Sequence, residues 1–322
     1  MESNASSGHI ERPGYRDYLL LVALGAVWGS SFALIKVALE TIPPVTVATG
    51  RVAVGALALI LLIAIQGGSW PKERRSWLLL GIMGIVGSVI PFSLINWGEV
   101  RIDSGLAAIL MSTVPIATIV LAPAFVRDEP ITTGKVIGVF LGMLGVVILI
   151  GPGVLLGSHG ELLGQVAVTA AAVSYALNGL VVRQLPSMPV AVISAGALTC
   201  ATIAGLPLSL VVDQPWQLTP SWLSLAALVG LGIINTAGGY LLLFWLTRRA
   251  GAGFASFNNF LVPLFGVAWG MLLLSERPSP MALLSLVLIF AGLAAIRMWP
   301  RRSAPRLSDA ASDASKCLSD CR

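Results

Sequence analysis

The residues able to do chemistry in this chain are amides, hydroxyls and aromatic rings set inside long apolar runs. Ser88, Ser93, Asn96 and Trp97 fall in one run, and Met111, Ser112 and Thr113 in the next. Thr169, Ser174, Tyr175 and Asn178 share a later run, Asn235, Thr236 and Tyr240 another, and Ser256, Phe257, Asn258 and Asn259 the one after. Tyr175 and Asn178 stand three apart, which on a helix puts them on one face. Nothing resembles a nucleophile–base pair, a His-rich metal site or paired carboxylates, so no catalytic residue, metal or cofactor is expected. These groups can instead bind. Amides and hydroxyls suit the backbone groups of an amino acid or similar metabolite, and apolar and aromatic walls suit its side chain. The expected substrate-binding set is Ser88, Ser93, Asn96, Trp97, Met111, Thr113, Tyr175, Asn178, Tyr240, Phe257, Asn258 and Asn259. Two bland roles compete with it. Ser and Thr in membrane helices often bond their own backbone or a neighbouring helix, and Trp97 and Trp245 lie near run ends, where aromatic rings anchor at the interface.

The elements that must hold these groups follow from composition. The chain has 322 residues, 56% hydrophobic and 11% charged, where a soluble protein carries about 25% charged residues. Its apolar runs are each long enough to cross a ~30 Å hydrocarbon core. In lipid the backbone must pair within its own segment, so the runs are helices. Ten spans are predicted, at roughly 18–39, 45–66, 76–97, 103–126, 132–151, 161–183, 189–211, 221–246, 253–275 and 279–298. Short loops make consecutive helices antiparallel neighbours. Residues 1–17 read as a cytoplasmic tail with no removed signal peptide. Residues 301–322 are too poor in apolar side chains to fold and are expected to be disordered.

Sixteen of the 20 Lys and Arg residues fall on segments that are inside if the N-terminus is inside, against Arg101 and Arg277 outside and Lys36 and Arg51 within spans. That bias predicts both termini in the cytoplasm. The net charge of +5 follows from it and is no nucleic-acid signal. Cys200, Cys317 and Cys321 make no disulfide framework and, with no His beside them, no metal site.

The chain also repeats itself. Trp97, Gly105-Leu106-Ala107 and Pro115 return 148 residues later as Trp245, Gly253-Phe254-Ala255 and Pro263, and Glu129-Pro130 returns as Glu276 with Pro278. Spans one to five (18–151) and six to ten (161–298) are therefore read as two repeats. Five is odd, so the second repeat enters the membrane from the opposite side, giving an inverted repeat around a central cavity, a transporter architecture. Pro115 and Pro263 should kink the fourth and ninth spans and serve as gating hinges. Gly81, Gly84 and Gly87, and the pair Gly138 and Gly142, should let helices approach closely. No Asp or Glu is expected deep in a span, since Glu99, Asp103 and Glu161 fall at span ends. Lys36, about 27 Å along the first span, and Arg51, about 9 Å from the outer end of the second, are both expected near the outer face. They would snorkel there or attract a substrate carboxylate near the exit.

Several of these residues resemble the drug/metabolite transporter superfamily, and within it the EamA-type ten-helix exporters. The resemblance rests on Trp28-Gly29-Ser30-Ser31-Phe32, Arg51, Gly105, Pro115, Glu129, Gly138 and Gly145, with the second-half echo Gly253, Pro263, Glu276 and Gly292. It spans 18–298 and implies export of small metabolites through a central cavity, with bacterial exporters of aromatic and other neutral amino acids the most similar-looking members. The sixth span departs from the pattern, reading Ser174-Tyr175-Ala176-Leu177-Asn178 where the first reads Trp28-Gly29-Ser30-Ser31-Phe32.

The reading that follows is a facilitative exporter of aromatic or large apolar amino acids in the bacterial inner membrane, acting as a monomer or an oligomer. Efflux of cationic drugs would need an acid deep in an early span. Exchange of phosphorylated metabolites would need deep cations. Proton coupling would need a buried carboxylate relay.

Overall fold

The computed structural model describes residues 14–125, 133–155, 159–186 and 188–298. Arg127, Glu129-Pro130, Cys317, Cys321, the first 13 residues and the 301–322 tail lie outside the described residues. Those described form helices and connections, with no strand among them. Apolar backbone that cannot borrow hydrogen bonds from water has few alternatives.

Eight helices are long and apolar enough to cross a membrane. They are α1 (Tyr15–Leu39), α2 (Pro44–Gln66), α3 (Arg74–Glu99), α4 (Ser104–Ala122), α6 (His159–Val182), α7 (Val190–Val212), α8 (Trp222–Gly251) and α9 (Gly253–Leu274). Two further helices, α5 (Thr133–Leu155) and α10 (Pro280–Met298), carry the shorter apolar stretches Val136–Leu149 and Pro280–Ala295. Length thus supports eight of the ten expected crossings directly. The turn between α8 and α9 is made at Gly251, whose φ of 83° only glycine adopts readily.

Packing partners respect the division into halves. α2 lies along α7, α4 along α9, and α5 along α10. α1 packs on α9 as α6 packs on α4, and α3 packs on α6 as α8 packs on α1. Exchanging each helix with the one five places on returns the same set of pairs. Small residues permit the contacts. A Cβ on Gly292 of α10 would stand 2.6 Å from the Gly138 carbonyl of α5, and one on Gly98 of α3 would stand 2.6 Å from Val168 of α6. Gly84 and Gly87 also meet other helices closely, whereas a Cβ on Gly81 would meet nothing within 4 Å. The largest buried cluster, including Ile35, Ile109, Leu110, Val168, Leu231 and Ile289, draws on both halves.

α3 and α8 each contain a π-helical segment, at Ile85–Val89 and Leu231–Gly238. These coincide under the 148-residue repeat. π turns leave carbonyls out of register with the helix ladder, and other helices bond there. Ser174 of α6 donates to the Val86 carbonyl at 2.7 Å. Trp28 Nε1 of α1 donates to the Asn235 carbonyl at 3.0 Å.

α4 is interrupted at Ser112 and Thr113. Their hydroxyls bond the Ile109 and Leu110 carbonyls at 2.5 and 2.7 Å, satisfying groups the break frees. Pro115 therefore sits in the first turn of the resumed helix, where no N–H is needed. The interruption of α4 falls just before Pro115. Pro263 does lie inside Asn258–Leu274.

Candidate functional site

A cavity of about 340 Å³ lies between seven of the helices. Its wall comprises Trp28, Ser31, Phe32 and Ile35 from α1, Arg51 from α2, Phe92 and Ile95 from α3, and Met111, Ser112 and Val114 from α4. Tyr175 and Asn178 come from α6, Asn235, Thr236 and Tyr240 from α8, and Asn258, Asn259, Val262 and Pro263 from α9. The volume is in the range of small-molecule sites.

Two aromatic pairs face it, one per π segment. Trp28 meets Tyr240 edge-on at 6.4 Å, and Tyr175 meets Phe92 edge-on at 6.3 Å. Glycine makes room for each crossing. Gly239 adjoins the Trp28 indole, and a Cβ on Gly87 would come within 2.5 Å of the Asn178 amide. Asn235 holds α1 in place by donating through Nδ2 to the Val27 carbonyl and to Ser30 Oγ.

Arg51 is 6% exposed. Its Nε donates to Thr236 Oγ1 at 2.8 Å, and Thr236 in turn donates to the Leu231 carbonyl at 2.8 Å. The guanidinium carbon stands 4.1 Å over the Phe92 ring. The expectation of a peripheral Arg51 is overturned. Distance along a helix gave its depth but not its facing, and its face is turned to α3 and α8.

Glu99 is a second correction. It is fully buried, and neither carboxylate oxygen has a hydrogen-bond partner among the described residues. Gly98 beside it lets α6 cover the end of α3, bringing the Gly164 carbonyl within 2.9 Å of where a Cβ would be. A terminal position in the span thus does not mean an exposed one.

Of the expected binding residues, Met111, Tyr175, Asn178, Tyr240, Asn258 and Asn259 line the cavity, with the hinge candidate Pro263. Ser88, Ser93, Asn96, Trp97, Thr113, Phe257 and Pro115 do not line it. Ser88 is buried, and Ser93 Oγ is buried with no partner among the described residues. Asn96 donates to the Pro44 carbonyl at 2.9 Å, tying α3 to α2. Trp97 is 37% exposed beneath Arg101, whose guanidinium lies 3.5 Å from its ring. Phe257 is exposed beside Phe254 and Phe260. Thr113 bonds its own backbone. The cavity residues outside the expected set are Trp28, Ser31, Phe32, Ile35, Arg51, Phe92, Ile95, Ser112, Val114, Asn235, Thr236 and Val262. Polar type marked Asn235, Thr236 and Ser112, while Phe92 and Ile95 carry no signal separating them from packing. Among the described residues no group of three His, Cys, Asp or Glu could hold a metal.

Known proteins place this architecture. The model of the EamA-like transporter family matches residues 16–151 and again 162–298. A probable amino-acid metabolite efflux pump of Escherichia coli (strain K12) is 30% identical over 292 residues, covering 86% of this chain and 93% of its own. A probable terminal-alkyne amino-acid exporter of Streptantibioticus cattleyicolor is 24% identical over 294 residues, covering 91% of this chain and 96% of its own. A solved crystal structure shares the fold, with a TM-score of 0.63 at 18% identity over 89% of this chain and 98% of that one. A family model that covers both halves joins a helical membrane architecture and a cavity lined by seven helices: the chain is a multi-pass membrane protein, not an enzyme, and belongs to the EamA-like transporter family.

Proposed function

We propose that the protein exports small neutral metabolites, above all amino acids with aromatic or large apolar side chains, across the bacterial inner membrane by alternating access. The observation that carries this is the cavity itself, where two edge-on aromatic pairs flank amide and hydroxyl groups. Aromatic walls favour an apolar side chain, and the amides favour its backbone groups. The amino-acid exporters and efflux pumps among its relatives support the same substrate class. In this reading all ten helices cross the membrane and the repeats 18–151 and 161–298 are inverted. Residues 1–17 and 301–322 are cytoplasmic tails. The cavity is built within one chain, so a monomer suffices.

Glu99 favours a second reading of the energetics. Facilitated export was expected for want of a buried carboxylate, and Glu99 is one. The groups coupled to it electrostatically are Lys36 of α1, Arg51 of α2 and Glu276 of the α9–α10 connection. An unpaired charge so buried is costly. A carboxyl that is covered in one conformation and wetted in the other can carry a proton between them.

Proteoliposomes test both points. Labelled phenylalanine, tryptophan and leucine should show counterflow, and an imposed proton gradient should drive their accumulation. Glu99→Gln should keep counterflow and lose the accumulation. Counterflow by none of the three would sink the amino-acid reading. Accumulation indifferent to the gradient would restore the facilitative one.

A further inference from the structure

We propose that Arg51 is the subsite that takes the carboxylate of the transported molecule, and that the amide oxygens of Asn178, Asn235 and Asn258 take its ammonium group. This rests on the amino-acid reading above and assigns its polar recognition to particular atoms.

Charge inside the cavity is one-sided. Arg51 is the one Lys, Arg, Asp or Glu among the described residues lining it. A guanidinium has five N–H donors. One is spent on Thr236, one face is spent on Phe92, and no carboxylate of a described residue lies within ion-pair distance. Glu99 acts on Arg51 only from beyond ion-pair distance, so the guanidinium fork itself has no direct anionic partner until one enters the cavity. The repeat supplies no twin, because α7, which stands where α2 does in the second half, carries no charged residue at all. A lone guanidinium fork matches the two oxygens of one carboxylate. A phosphate dianion would call for a second cation, and Lys36 does not line the cavity.

The acceptors are independent of this. Oδ1 of Asn178, Asn235 and Asn258 is buried and has no hydrogen-bond partner among the described residues. Asn235 and Asn258 are 1% and 3% exposed. Orphaned amide oxygens are uncommon in folded interiors. All three residues line the cavity, and an ammonium group, a donor only, can use whichever of these unmet acceptors it reaches. A donor fork and unmet acceptors on the wall of one cavity together fit a zwitterion.

Full-chain protein in proteoliposomes tests this by competition against counterflow of labelled phenylalanine. Unlabelled competitors are phenylalanine, its methyl ester, N-acetylphenylalanine and inorganic phosphate. For the parental protein, phenylalanine should compete about ten- to a hundred-fold better than the ester or the N-acetyl compound, and phosphate should not compete. Arg51→Gln should bring acid and ester within about threefold of each other. Arg51→Lys should retain part of the preference, keeping charge without the fork. The acid-to-ester comparison on the parental protein needs no variant to fold. An ester as effective as the acid, or Arg51→Gln keeping the full preference, overturns the carboxylate assignment while leaving amino-acid export standing. Competition by the N-acetyl compound equal to phenylalanine overturns the ammonium half, and effective competition by phosphate overturns the choice of carboxylate. Absence of phenylalanine counterflow in the parental protein overturns the export reading and this one together.

Discussion

Asn178 and Tyr175 stand one helical turn apart on α6 and reach the same cavity by different supports. Asn178 rests against Gly87, and Tyr175 against Phe92. Losing a desolvated polar partner costs about 1–3 kcal/mol. Asn178→Ala should weaken apparent affinity roughly 5- to 150-fold, alike for phenylalanine and alanine, because both carry the same backbone groups. Tyr175→Ala should instead shift preference, losing phenylalanine more than alanine. Affinities measured in purified, folded variants check this, and unchanged values would return both residues to packing. What could be read at this scale was residue type and depth. Asn178, Asn258 and Tyr240 stood out as polar groups in apolar runs. Arg51 and Glu99 stood out too, yet their surroundings did not, because burial at a helix end is decided by whichever neighbour covers it. Here that neighbour is another half of the chain, 65 or more residues away in sequence for Gly98 and Gly164.

Among the elements, the matching prolines proved unlike. Pro115 follows a break already made by Ser112 and Thr113, whereas Pro263 interrupts a continuing helix and lines the cavity. Pro263→Ala should leave the protein folded and slow its counterflow several-fold, since it restores a backbone bond at the proposed hinge. Pro115→Ala should change the rate little. Equal slowing by both variants would put the hinge at the break instead. Each of α1 to α10 overlaps a span expected from its apolar run, because length and hydropathy are local properties. The π segments and the α4 break were not legible, since both depend on side chains of other helices accepting or supplying hydrogen bonds.

For the whole molecule, the exchangeable packing pairs and the charge bias bear on one geometry. If all ten helices cross, as proposed, and the segments carrying 16 Lys and Arg residues face inward, a reporter fused after Pro300 should be active in the cytoplasm. Periplasmic activity there would mean an odd number of crossings or the opposite orientation, and either overturns the cytoplasmic C-terminus. The duplication was legible because both copies keep their proline, small residues and tryptophan at one spacing. The asymmetry was legible only in part. Ser174 to Asn178 visibly departs from Trp28 to Phe32, but the unmatched charge of Arg51 gained its meaning from the walls around it.

The paired π segments also set an angular phase. A π turn accommodates one more residue than an α turn, so every side chain beyond it is carried about 100° around the axis. Phe92 lies just past one segment and Tyr240 just past the other, 148 residues apart, and both face the cavity. Rewinding Ile85–Val89 as regular α-helix with no residue lost would swing Phe92 away from Arg51, whereas deleting one residue within the segment would restore α winding and keep Phe92 aimed. The two aromatic walls are thus aimed by a count of residues rather than by contacts alone, and loss of the π turn in either half at constant chain length would turn one wall while leaving the other in place.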